Sequence, residues 1–284
     1  MIESHPLLIR SRKPVEELLS GDYRSAFKGR GIEFEDVRPY EPGDEIRSMD
    51  WKVTARTGEP HVKRFIEERD LTVYFLIDIS ASVDFGTQGK TKRTACQELA
   101  ALLGRAAMAN HDRVGLLLFA EDVELHLSPR KGLNHLSLLL EHIEHHSAKS
   151  RTTNIQAALD AVFQFTRRRS ILFLLSDFHD DRLGEELVMT SSKHELIALS
   201  LQDPRERRLP PAGLIQVRDA ESGIRSWLDT SPRAIRERFF HRANHRRSQR
   251  HEQLTSAGVD VLELEVGDDY VAALHTFLQA RLHG

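Results

Sequence analysis

Cysteine is nearly missing from this chain: Cys96 is the single one in 284 residues. One thiol excludes an intramolecular disulfide framework and fits a reducing compartment. Long hydrophobic runs are missing too, with nothing near the roughly 18 apolar residues in a row that a membrane-spanning helix needs. The start, Met1 to Pro6, has no positive region followed by an apolar core, so no secretory signal is expected. An excess of one charge is also lacking: 40 basic against 43 acidic residues leave a net charge of −3. Bulk charge therefore points to neither nucleic acid nor acidic lipid. Internal repeats and low-complexity segments do not occur. What remains is 40% hydrophobic and 29% charged, the mix of a soluble globular protein, expected in the cytoplasm, and long enough for a sizeable core.

Two apolar runs organise the chain. Leu71 to Ile77 is almost wholly aliphatic, aromatic or β-branched and ends abruptly in Asp78-Ile-Ser80-Ala-Ser82. Ser170 to Leu175 does the same and ends in Ser176-Asp177. Such runs suit central parallel strands covered on both faces. Between and after them, the spacing predicts helices over Lys90–Asn110, Leu133–His146, from Thr153 onward, Leu183–Ser191, Pro232–Ala257 and Asp269–Leu282. Further strands are predicted at 113–119, 123–127, 195–200 and 259–266, with a strand pair formed by 214–218 and 224–228. This alternation implies an α/β protein with a doubly wound, mostly parallel, Rossmann-like sheet over residues 70–284.

Residues 1–69 read differently. A short helical pattern through Val15, Leu18 and Leu19 is followed by turn clusters at Gly29–Gly31, Pro39–Asp44 and Thr57–Pro60. Between the clusters lie short antiparallel strands, Ile32–Val37 and His61–Ile66. This small β-rich attachment is expected to lean on the main sheet or extend it.

If the two long strands are neighbours, Asp78 and Asp177 share one sheet edge, where open α/β sheets bind ligands. Ser80, Ser82 and Thr153 add three hydroxyls. Five oxygen donors without sulfur or imidazole suit a hard cation, Mg²⁺ or alternatively Ca²⁺ or Mn²⁺, rather than zinc. Two carboxylates roughly neutralise the ion, which keeps room for one more anionic oxygen.

Asp78-x-Ser80-x-Ser82, Thr153 and Asp177 together resemble the metal-ion-dependent adhesion site (MIDAS) of von Willebrand factor A domains. That resemblance implies a von Willebrand A-like fold in which a partner's Glu or Asp completes the ion's coordination. The block ahead of it runs Gly29-x-Gly31-x-Glu33-Phe34, then Val37-Arg38-x-Tyr40-x-Pro42-Gly43-Asp44-x-Ile46-Arg47-x-Met49-Asp50-Trp51-Lys52, then Ala55-Arg56. This block is similar to the signature of the bacterial domain-of-unknown-function family fifty-eight. The match implies a partner of a MoxR-type AAA+ ATPase in chaperone-like maturation of a client protein, and the von Willebrand A resemblance implies binding and not turnover. Many members carry membrane helices ahead of the block, and their lack here leads to the expectation of a soluble form. Val83 departs from that pattern, where methionine is common.

Other readings compete. An aspartate at a strand end can serve a Mg²⁺-dependent phosphatase or nuclease using Asp78 and Asp177, although Ser80 stands where that chemistry wants an acid. An unmetallated structural module is a third possibility. Asp44, Arg47, Asp50 and Arg56 read as structural ion pairs, and Trp51 as an anchor of the block against the main domain. His142, His145 and His146 have metal-ligand spacing but read as a solvated face. The arginine-rich helix 232–257 reads as a solvent or protein contact, not a nucleic-acid interface. Cys96 reads as core.

Overall fold

The computed structural model describes residues 5–11, 15, 19–27, 32–45, 48–67, 70–87, 89–180 and 184–283. The Gly29–Gly31 turn, Leu18, Arg47 and the Leu183 start of a predicted helix lie outside them. The main sheet has six strands: β3 (Thr72–Asp78), β4 (Arg113–Phe119), β5 (Val123–Arg130), β6 (Ile171–Ser176), β7 (Glu195–Gln202) and β10 (Asp260–Glu265). Their spatial order is β10-β7-β6-β3-β4-β5, parallel throughout except where β5 pairs antiparallel with β4 at one edge. The chain winds outward from β3 through β4 and β5, then crosses back to β6 and continues the other way. The reversal between β3 and β6 is a topological switch point, where a crevice opens at the strands' carboxyl ends.

Alternation along β3 builds two cores. Val73, Phe75 and Ile77 face one side, against Leu99 and Leu103 of the Lys92–Ala109 helix, Leu136 and Leu140 of the Leu133–His145 helix, and Leu274 and Leu278 of the C-terminal Tyr270–His283 helix. Tyr74 and Leu76 face the other side, against Leu159 and Val162 of the Ile155–Phe165 helix, with Leu187 and Leu254. Both faces of a parallel sheet are thus covered by crossover helices, as its continuous hydrophobicity requires. Cys96 is fully buried in the first core.

The N-terminal segment divides in two. Leu8 of the Pro6–Arg10 helix, then Val15, Leu19, and Tyr23 and Phe27 of the Ser20–Phe27 helix, all belong to the first core. Asp22 fixes the second helix to the C-terminal one, at 2.5 Å from both His275 Nδ1 and Gln279 Nε2. The following strands, β1 (Ile32–Pro39) and β2 (His61–Glu67), form a separate two-stranded antiparallel sheet and do not extend the main one.

Two expectations are corrected here. Trp51 is 65% exposed and anchors nothing; it begins a Trp51–Thr57 helix, unforeseen in the sequence, whose N-cap is Asp50, accepting from the amides of Lys52 and Val53. The helix closes on Gly58 at φ +77°, a left-handed position where glycine is unstrained. Pro232 is itself the N-cap of the long Arg233–Ser256 helix and makes no side-chain cap. Arg236 instead turns back to donate to the carbonyls of Thr230 and Ser231, both at 2.7 Å. Of the residues expected to form ion pairs in the signature block, Asp44 pairs with Arg38, which was not among them, at 2.6 Å, and this holds its carboxyl below the usual value.

Candidate metal-binding site

All five oxygen-bearing residues named from the sequence stand at the β3–β6 switch point. Asp78 is the last residue of β3, and Asp177 directly follows β6, its parallel neighbour. Thr153 comes from the loop that enters the Ile155–Phe165 helix. That loop is fastened to the sheet edge by three backbone contacts: Asn154 N–H to the Ala120 carbonyl at 2.8 Å, Ala81 N–H to the Arg151 carbonyl at 3.2 Å, and Ile155 N–H to Asp180 Oδ2 at 2.9 Å. Asn154 caps the helix and so fixes where Thr153 sits.

The loop after β3 is held from its other end. Arg93 N–H donates to the Val83 carbonyl at 2.9 Å, and its guanidinium reaches the Ile79 carbonyl at 3.2 Å and Asp84 at 2.6 Å. Further along, Thr87 is clamped by Asp203 through both its amide, at 2.8 Å, and its hydroxyl, at 2.7 Å.

The polar atoms form one connected cluster. Thr153 Oγ1 lies 2.8 Å from Ser80 Oγ and 3.3 Å from Asp78 Oδ2, and the Ser80 and Ser82 hydroxyls are 3.1 Å apart. Asp78 Oδ1 accepts from the Ser80 amide at 2.9 Å, and its Oδ2 accepts from the Ser176 hydroxyl at 2.7 Å. Asp78, Ser80, Ser82, Thr153 and Asp177 are all buried. Buried hydroxyls and carboxylates grouped this densely are an expensive arrangement unless each finds a partner.

Charge is shared unevenly. Burial and the neighbouring Asp177 push the Asp78 carboxyl up to about 7, against hydrogen bonds from Ser176 and Ser80 that pull it down. Burial acts on Asp177 too, but the Lys92 ammonium, 2.6 Å away, with His179 and a hydrogen bond from Ser82, outweighs it and holds this carboxyl down. Lys92 is fully buried and bridges to Glu206 at 2.7 Å, and these two acids keep its ammonium charged despite burial.

Sequence reasoning missed Lys92, Ser176 and Glu221, the last of which accepts from Thr153 at 3.2 Å. Lys92 left one trace: two basic residues, Lys92 and Arg93, in the first turn of a helix oppose its dipole, which signals compensating anions. Among the described residues no group of three or more His, Cys, Asp or Glu is placed to hold a metal ion, and His146 of the histidine set pairs with Glu124 at 3.0 Å. A hard cation is nevertheless compatible with two buried acids and three buried hydroxyls gathered at one sheet edge, and among the described residues no ion pair serves Asp78.

A family model described as protein of unknown function DUF58 matches residues 36–250, so the chain belongs to that family. It is 31% identical to the uncharacterized protein Rv1480 of Mycobacterium tuberculosis strain H37Rv over 280 residues, 96% of this chain and 87% of that one. Among solved structures, an aerotolerance-related membrane protein from Bacteroides fragilis superposes with a TM-score of 0.50 at 16% identity, covering 74% of this chain and 99% of that one. The SpRpn10 VWA domain gives 0.38 at 10% identity, covering 72% and 94%. Among the described residues no helix is long and apolar enough to cross a membrane.

Proposed function

We propose that the protein is a non-enzymatic binding module that captures an acidic side chain of a partner through a divalent cation, Mg²⁺ in the first instance, at Asp78, Ser80, Ser82, Thr153 and Asp177. One observation carries this: five oxygen-bearing side chains from three separated segments meet in one buried cluster at the switch-point edge. Asp78 would give the ion its main anionic oxygen, and the hydroxyls neutral ones. The ion would supply the positive charge that the Asp78 carboxyl lacks, leaving a position for a foreign carboxylate.

The sequence resemblance supports a partner of the MoxR-type AAA+ ATPase class, acting together on a client protein in chaperone-like maturation. Pull-down of the purified ATPase tests both points. The complex is expected to form in Mg²⁺, to dissociate in EDTA and to fail with Asp78→Ala. Equal binding in EDTA and by Asp78→Ala ends the metal-bridge reading. Phosphoester turnover that is lost in both Asp78→Ala and Asp177→Ala would replace it with a Mg²⁺-dependent phosphatase or nuclease.

A further inference from the structure

We propose that Glu221 is a built-in ligand of the cation seat, so that the hairpin carrying it is a tethered stand-in for the partner's acid. This rests on the cation-dependent reading above. The hairpin consists of β8 (Leu214–Arg218) and β9 (Arg225–Asp229), which among the described residues form a two-stranded sheet of their own. Its turn is tightly made. Asp219 Oδ1 accepts from the Ser222 amide at 2.7 Å and hydroxyl at 2.6 Å, and Gly223, at φ +72°, returns its amide to the Asp219 carbonyl at 3.0 Å.

Glu221 leaves this turn half-buried, and its Oε1 accepts from the Thr153 hydroxyl at 3.2 Å, across 68 residues of sequence. The seat loop grips the hairpin backbone as well. The Arg151 guanidinium donates to the Ala220 carbonyl and, at 3.3 Å, to the Glu221 carbonyl. Arg151 thus holds the main chain, and the Glu221 carboxylate is delivered to the seat beside Asp177, Asp180 and Asp219, whose charges add to burial in disfavouring its ionisation.

Glu221 is a third acid brought to a hydroxyl already shared with Ser80 and Asp78, and a cation among them would balance the charge gathered there. Mg²⁺ takes six oxygens, and the seat's side chains supply five; Glu221 is the chain's own sixth. The consequence is a competition. A partner's carboxylate has to lift the hairpin to reach the ion, so the cation-loaded protein alone is self-occupied, and removing Glu221 opens the seat to outside acids.

Mn²⁺ titration by calorimetry, paired with hydrogen exchange of residues 214–229, tests this on the full chain. Wild type is expected to bind Mn²⁺ and to slow hairpin exchange on binding. Glu221→Gln is expected to bind at least about ten-fold more weakly, with no hairpin protection. Arg151→Ala, which frees the hairpin backbone and keeps every seat oxygen, is expected to shift both readouts in the same direction. If both variants bind Mn²⁺ like wild type while Asp78→Ala does not bind, the hairpin proposal is overturned and the seat stands. If Asp78→Ala also binds like wild type, the underlying reading fails with it.

Discussion

Asp78 and Asp177 close adjacent parallel strands, each after an apolar run, and both are buried, yet their surroundings treat them in opposite ways. Asp177 has an ammonium at 2.6 Å, while Asp78 is served by hydroxyl and amide donors from Ser176, Thr153 and Ser80. The difference originates in the Lys92–Ala109 helix, whose first residue reaches over the β6 end to join Asp177 and Glu206. Two similar sequence endings therefore do different work. Asp177 is charge-compensated from within, and Asp78 is the acid whose ionisation burial and its neighbour oppose.

The strongest way to break this asymmetry is Lys92→Met. It leaves two acids facing one another without their shared counter-charge, and removal of one partner from a buried ion pair costs about 3–5 kcal/mol. Urea unfolding at neutral pH is expected to show a loss of that order, partly recovered on adding Asp177→Asn. A loss below about 1 kcal/mol would mean that Lys92 is not what holds Asp177 ionised.

Next in size is the pH dependence of the metal-free protein. The folded state holds the Asp78 proton up to about 7, well above the ordinary carboxyl value of 3.8, so it binds more protons than the unfolded chain between those limits. That stabilisation is full below about 4 and is lost as pH rises through 7. Asp177 runs the other way: its folded value is depressed, so its contribution is present above about 4 and disappears as pH falls below that. Unfolding midpoints in EDTA from pH 4 to 8 are expected to fall with pH in wild type. They should flatten in Asp78→Asn and in saturating Mg²⁺, and become shallower without vanishing in Asp177→Asn, because burial still raises Asp78 once the neighbouring charge is gone. An unchanged slope in Asp78→Asn would erase the contrast between the two acids.

A smaller effect probes the loop that carries Ser80 and Ser82 toward Lys92. A Cβ built on Gly86 would stand 1.9 Å from the Lys90 carbonyl oxygen, a clash with backbone that cannot swing aside. Gly86→Ala is expected to lower stability by about 1–3 kcal/mol and to weaken Mn²⁺ binding, because both ends of the loop shift. The least effect belongs to Arg233→Ala. Its pair with Glu237, at 2.7 Å, sits on a side chain that is 84% exposed, and its loss should change the unfolding midpoint within error. A large effect there would show that exposed and buried ion pairs weigh alike in this protein.

Much of the architecture was legible because strands covered on both faces must be apolar throughout, and β3 and β6 are. The β8–β9 pair was legible from its turn, since Glu221-Ser222-Gly223 separates two short runs and Gly223 takes the positive φ that turns need. Trp51 was misread because an aromatic residue in a turn-rich block resembles an anchor, whereas the side chain of Asp50 starts a helix there and turns the ring to solvent. Lys92 was passed over because a lysine at a helix start is ordinarily solvated, and its partners lie 85 and 114 residues away.

The sequence by itself determined the alternation of strands and helices, the two acids and three hydroxyls, and their places at the ends of apolar runs, because these follow from local periodicity and residue chemistry. Only the tertiary structure decided that β3 and β6 are neighbours, that Lys92 serves one aspartate and leaves the other, and that a hairpin tip brings Glu221 to Thr153. Each of those is a contact between segments far apart in the chain, and only the packing of helices on both sheet faces sets which distant segments meet.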